Sequence, residues 1–176
     1  SMMGSGGMIV MDEDTCMVDT AKYFLAFTQD ESCGKCTPCR EGTKHMLDIL
    51  TGITEGKGKE GDLALLDEMC GMIKQTSLCA LGGTAPNPVL TTMKYFREEY
   101  EANILDKKCP AKVCKSLIKY TILDKCNGGH LCFKQCPQSA IAGEPKKPHK
   151  VIQEKCVKCG ICFDVCPPKQ TAINIE

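Results

Sequence analysis

The 176-residue sequence contains no tryptophan, and aromatic residues make up only 5% of it. A core of packed aromatic rings is thereby excluded, which leaves aliphatic, methionine and cysteine side chains to fill the interior. Net charge is also missing, because 22 basic residues balance 22 acidic ones. That excludes the strongly basic footprint of a nucleic-acid binder. No apolar run approaches the roughly 18–20 residues needed to span a bilayer, so direct membrane insertion is not expected. The first residues, Ser1 to Met8, have neither a charged start nor a long apolar stretch and do not read as a secretory signal. No acid–base pair or nucleophile that could support independent catalysis is evident.

What the sequence does have is cysteine, at 15 residues. In a short secreted chain that density would suggest disulfides. Here the count is odd, most cysteines lie two or three residues from another, and a proline follows the last cysteine of both C-terminal runs. Cys-x2-Cys spacing puts two thiolates on one small loop, which suits a metal better than a distant bridging partner. Metal binding implies a reducing compartment, and the cytoplasm is the expected location.

Residues 1–13 are rich in glycine and methionine, and Met8 to Met11 read as the remnant of a strand from a preceding domain. Four helical patterns follow. The first is capped at Asp14 or Thr15 and carries Val18, Ala21, Phe24 and Leu25 at helical spacing. The second runs from about Thr37 to Thr51, with Pro38 in its first turn, Gly52 at its end, and Met46, Leu47 and Leu50 inward. Asp62 caps a third with Leu66, Met69, Cys70 and Ile73 on one face. Asn87-Pro88 opens a fourth that aligns Val89, Leu90, Met93, Phe96 and Tyr100. The expected architecture is α+β, with a small four-helix bundle over 14–104, a linker over 105–118, and a ferredoxin-like domain over 119–176. The last domain is an internal duplication. Each half has a short strand, a cysteine run ending in Cys-Pro, and a second small apolar strand.

The strongest metal motif is Cys156-Val-Lys-Cys159-Gly-Ile-Cys162-Phe-Asp-Val-Cys166-Pro, in which the fourth cysteine of the run serves the other cluster of a two-cluster fold. The first half, Cys126-Asn-Gly-Gly129-His130-Leu-Cys132-Phe-Lys-Gln-Cys136-Pro, has Gly129 where the second cysteine belongs. Exchange of the fourth cysteines gives one complete set, Cys136, Cys156, Cys159 and Cys162, for a 4Fe–4S cluster. The other set, Cys126, Cys132 and Cys166, lacks a thiolate. It is expected to hold a 3Fe–4S cluster, or an incomplete 4Fe–4S cluster with His130 or solvent at the open corner, or no cluster. Fewer thiolates mean less negative charge and a higher potential.

A third set, Cys33, Cys36 and Cys39, lies on one loop at the start of a helix, whose positive end favours anionic thiolates. Cys79 lies between the third and fourth helices, where a bundle could bring it to the open corner. Cys16 and Cys70 read as buried apolar thiols on helices. Cys109 and Cys114, in a polar linker, are expected to form a structural zinc site with His149 and an unassigned fourth ligand. His45 reads as a surface or helix-packing residue.

The runs Glu31-Ser-Cys-Gly-Lys-Cys-Thr-Pro-Cys-Arg-Glu-Gly42 and Ser77-Leu-Cys-Ala-Leu-Gly82 resemble the cluster domain of the NADH-binding flavoprotein subunit of complex I. With the appended ferredoxin-like half, the chain is more similar still to the C-terminal part of the beta subunit of NAD(P)-linked, often electron-bifurcating, iron-only hydrogenases. Residues 4–12 also resemble that family's entry into the bundle. The resemblance implies a 4Fe–4S cluster on Cys33, Cys36, Cys39 and Cys79, and FMN and NAD(P) sites only in an upstream region. It implies an electron relay among the subunits of an oxidoreductase: a hydrogenase catalytic subunit, a 2Fe–2S thioredoxin-like subunit, and soluble ferredoxin as a further partner. The competing expectation is a zinc-stabilised assembly or docking module with no redox role.

Overall fold

The structure, a computed structural model, describes residues 6–167 and 172–176. The first five residues of the expected N-terminal remnant, and with them the first two of the resembling segment 4–12, lie outside the described residues. The chain divides into two compact units, Ser1–Leu117 and Ile118–Glu176.

The first unit is helical. Helix α1 is Met17–Asp30, and a π-helical turn at Pro38–Gly42 runs directly into α2, Thr43–Thr54. Then come α3 (Asp62–Thr76), α4 (Ala80–Thr84), α5 (Asn87–Tyr95) and α6 (Arg97–Glu101). A second π-helical turn, Ala102–Asp106, and a 3-10 turn, Lys115–Leu117, close the unit. The apolar stripes face one another. Val18, Ala21 and Leu25 of α1 are buried with Met46, Leu50 and Ile53 of α2, Leu66 and Ile73 of α3, and Val89 of α5. Helix α1 packs on α2 and α5, and α3 packs on the same two, so each of the four longer helices has two neighbours.

Three local expectations are corrected. Residues 8–11 form no strand, and Met8, Ile9 and Val10 are well exposed. Helix α1 begins after Cys16, not after Asp14 or Thr15. The Thr15 hydroxyl donates to Asp12 in a preceding turn (3.1 Å), and the first N–H, of Met17, is met by the distant Glu99 carboxylate (2.9 Å). The fourth expected helix breaks at Phe96 (φ −130°, ψ 37°), which turns that ring outward. Helix α6 then restarts and buries Tyr100, whose hydroxyl lies 2.8 Å from Thr92 Oγ1.

Among its described residues the second unit holds four short strands and two short helices: β1 Tyr120–Ile122, α7 Leu131–Gln135, β2 Ile141–Ala142, β3 Lys150–Val151, α8 Ile161–Asp164 and β4 Ile173–Ile175. The outer strands pair antiparallel, with Tyr120 opposite Ile175, and so do the inner strands, with Ile141 opposite Val151. Pairing first with last and second with third folds the two half-repeats onto each other. Each Cys-Pro segment is thus carried across to the other half's cysteine loop. Among the described residues, no helix is long and apolar enough to cross a membrane.

Candidate functional site

In the second unit, two cavities bring together cysteines of opposite half-repeats. One is walled by Cys136, Cys156, Cys159 and Cys162, and the other by Cys126, Cys132 and Cys166. Apolar side chains join them, Ile141 and Val151 in the first and Ile122 and Ile173 in the second, with Asn127, His130 and His149 also in the second. Burial, and then the neighbouring Cys156, push Cys162 up to about 11, and burial first of all raises Cys132. A multivalent iron cluster supplies the positive charge that this arrangement needs, so the donor set fits one. The backbone N–H of Ala140 already points at Cys136 Sγ (3.2 Å).

The second cavity differs at its fourth position. Gly129 and His130 line it together with His149. Adding a Cβ to Gly129 would meet only the Asn127 side-chain oxygen, at 3.3 Å, so glycine there is not enforced by crowding. His149 is 1% exposed, and its Nε2 lies 2.8 Å from His130 Nδ1, while its Nδ1 lies 3.9 Å from Cys126 Sγ. Burial first, then the proximity of His130, lowers the imidazole pKa of His149.

In the first unit, close backbone approaches bring the cysteine loop and the 77–82 segment together. A Cβ on Gly42 would lie 2.7 Å from Ile73 of α3, and one on Gly82 would lie 3.2 Å from the Cys39 Cβ. Only glycine lets the π-helical turn and α4 pack this tightly. The backbone N–H of Leu78 is the leading cause that lowers the Cys36 thiol, which places the residue before Cys79 against this loop. Cys39 is buried, with Ser32 Oγ 3.3 Å from its sulfur; Cys36 is half-buried, and Cys33 and Cys79 are exposed.

A test of fit comes from Ser77. Its hydroxyl is buried without a hydrogen-bond partner, and the Cβ positions that would crowd it belong to the same junction as Cys39. An orphaned hydroxyl costs about 1–3 kcal/mol unless something accepts its proton. The sulfurs of a bound cluster are acceptors of the right kind, and hydrogen bonds to them raise cluster potentials. Ser77→Ala is expected to leave the iron content unchanged and to lower the midpoint potential of this cluster. About 0.5–1.5 kcal/mol of differential hydrogen bonding corresponds to a shift on the order of 20–60 mV. Redox titration followed by EPR measures it.

The remaining cysteines divide differently from expectation. Cys70 is fully buried, and burial pushes its thiol up to about 12, as befits an inert core residue. Cys16 is not such a residue. The sulfurs of Cys16, Cys109 and Cys114 all lie within 4.8 Å of one another, and all three residues are buried. Cys16 Sγ is 3.7 Å from Cys114 Sγ across 98 positions of sequence. The thiol hydrogen bonds of Cys114 and then Cys16 hold Cys109 well below the usual thiol range. His149, expected with Cys109 and Cys114, lies in the second unit with its ring against that of His130. It sits there because Gly143 (φ 153°) leaves its ring room: a Cβ at 143 would come within 2.6 Å of it. His45 is exposed.

Comparison with known proteins agrees with this division. Residues 19–103 match the NADH-ubiquinone oxidoreductase-F iron-sulfur binding region, and residues 118–167 match the 4Fe-4S dicluster domain. The NADP-reducing hydrogenase subunit HndC of Solidesulfovibrio fructosivorans is 57% identical over 150 residues, which are 85% of this chain and 31% of that protein. An NADH-quinone oxidoreductase subunit of Streptomyces coelicolor is 44% identical over 116 residues, 66% of this chain and 26% of that protein. An NAD+-reducing NiFe-hydrogenase, solved in its H2-reduced state, superimposes with a TM-score of 0.52 at 33% identity, over 53% of this chain and 16% of that one. The chain spans about a third or less of the length of these relatives. It is homologous to iron–sulfur parts of the hydrogenase HndC and of NADH-quinone oxidoreductases, with one iron–sulfur family match in each of its two compact units.

Proposed function

We propose that the chain is an electron relay: a bundle of the four longer helices holding one 4Fe–4S cluster, followed by a two-cluster ferredoxin-like unit. The observation that carries this reading is the pair of cysteine-walled cavities, each completed by a cysteine from the opposite half-repeat. Cys33, Cys36, Cys39 and Cys79 would hold the first cluster, and Cys136, Cys156, Cys159 and Cys162 the second. Cys126, Cys132 and Cys166 would hold a third, of the 3Fe–4S or 4Fe–4S type. Bound clusters supply one-electron chemistry without proton transfer at a side chain. The protein's part is to hold thiolates, aim N–H and O–H groups at sulfur, and exclude water. By homology with HndC and the NADH-quinone oxidoreductases, electrons would enter from a flavin and NAD(P)H site in another part of the parent protein. They would leave toward a hydrogenase catalytic subunit, a 2Fe–2S subunit or a soluble ferredoxin, in a reducing cytoplasm.

The test is anaerobic purification with iron and zinc analysis and EPR on stepwise reduction. A brown protein with at least two distinct reduced-cluster signals, unable to oxidise NADH by itself, is the expected result. A colourless, zinc-replete and EPR-silent protein would instead establish the docking module.

Zinc keeps a narrower place in this reading. Cys16, Cys109 and Cys114 offer three buried thiolate ligands, the composition of a closed structural site short of one donor. The ion would tie the start of α1 to the segment after the second π-helical turn.

A further inference from the structure

The incomplete cavity carries more than a missing thiolate. By the internal duplication, Cys126 corresponds to Cys156, Gly129 to Cys159, His130 to Gly160, Cys132 to Cys162 and Cys136 to Cys166. Gly160 opens α8 in the left-handed region at φ 84°, a conformation that favours glycine. His130 opens α7 at φ 62° in that same region. A side chain is therefore kept at a place where the intact half has none, at a cost in backbone strain that surrounding structure must overcome. The loop before it is clamped: Lys146 N–H donates to Gly128 O (3.0 Å), and a Cβ on Gly128 would strike the 146–147 backbone at 2.3 Å. The His130 ring is held too, stacked on Phe133 with centroids 4.3 Å apart and planes within 16°.

His149 Nε2 and His130 Nδ1 lie 2.8 Å apart, so one ring nitrogen of His130 is engaged by His149. The other, Nε2, has no hydrogen bond among the described residues, on a ring that lines the cavity. A second imidazole that orients the first is the usual outer support of a histidine metal ligand. Gly143 leaves room for that second imidazole, since a Cβ there would come within 2.6 Å of its ring.

We infer that His130 replaces the absent thiolate as the fourth protein ligand of the cluster held by Cys126, Cys132 and Cys166, with His149 as its positioning residue. The site is then a four-iron site, not a three-iron one. This rests on the reading that these three cysteines hold a cluster at all. A neutral imidazole in place of a thiolate makes this the higher-potential cluster of the second unit. The relay then has an uneven pair at its ferredoxin-like end.

The experiment uses the whole chain, purified anaerobically with nitrogen-15 placed in histidine alone, and reads pulsed-EPR hyperfine couplings of the reduced clusters. A coupling of the strength of a directly bound nitrogen is expected. In His130→Ala it should disappear, one iron per chain should be lost, and the oxidised three-iron EPR signal should appear. Gly129→Cys should keep all the iron, lose the nitrogen coupling and lower the potential of that cluster. This variant and the labelled native protein decide the matter even if His130→Ala does not fold. A third cluster with no histidine coupling overturns the inference and leaves the three-cluster relay standing. Iron for only two clusters overturns both.

Discussion

Replacing Cys39 by alanine is expected to strip about four irons from the chain, the complement of one cubane, and to reduce electron flow through the first unit to background. Cys39 is the buried member of its set, lodged where the π-helical turn meets α4, whereas Cys33 and Cys79 are exposed. A solvent molecule at an exposed corner can stand in for a lost thiolate. At the buried corner, an alanine leaves a hole that neither a hydroxide nor a neighbouring side chain can fill. Cys33 and Cys36 on the loop and the distant, exposed Cys79 would then hold the iron loosely. The fold itself should survive, because trimming one sulfur from this core is a change of about 1–2 kcal/mol. The measurements are iron per chain, the loss of one reduced-cluster EPR signal with the second unit's signals intact, and reduction of the second unit by an added reduced flavoprotein. Full iron content in the variant would sink the assignment of Cys39.

The second large effect is expected at the three buried thiols outside the cluster motifs. Cys109→Ala should abolish bound zinc and lower the thermal midpoint of the first unit sharply. Structural zinc in small domains contributes on the order of 10 kcal/mol of apparent binding energy, so even a fraction of that exceeds an ordinary core substitution. The reason lies in the geometry. Without a cation, three sulfurs packed within 4.8 Å can ionise only in part, and Cys16 is pushed up to about 11, first by its hydrogen bond with Cys109. A zinc ion converts that mutual frustration into attraction. Removing one ligand returns two crowded thiols to an interior with no counter-charge. Calorimetry with zinc analysis, on the native chain with and without a chelator and on the variant, checks the prediction. Zinc-free native protein with a midpoint the variant shares would overturn it.

Much of the site was legible because cluster ligation is local. The run from Cys156 to Cys166 and the run from Cys33 to Cys39 place three sulfurs on one loop whatever the rest of the chain does, and Gly129 stands out against its own duplicate. The helical stripes were legible for the same reason: Val18, Ala21 and Leu25, or Met46 and Leu50, follow the helix period. Legibility failed where a contact spans the chain. Cys16 read as a core thiol because its partners are more than 90 residues away. His149 read as a zinc ligand because it stands in the linker between the half-repeats, and its pairing with the His130 ring was not legible there. Nothing in the sequence marked Ser77, whose significance is that its hydroxyl is buried and unpartnered.

The residues alone show iron–sulfur motifs, which cysteines share a loop, and that one half-repeat has Gly129 where its duplicate has a cysteine. Tertiary structure decided which distant segments meet. Antiparallel pairing of first strand with last carries Cys136 and Cys166 across to opposite halves, close glycine packing sets the 77–82 segment against Cys39, and the turn at Gly143 delivers His149 to His130. Spacing along a chain specifies ligands only within reach of a single loop. The fourth corner of each site, and the groups that tune it, arrive from elsewhere in the fold.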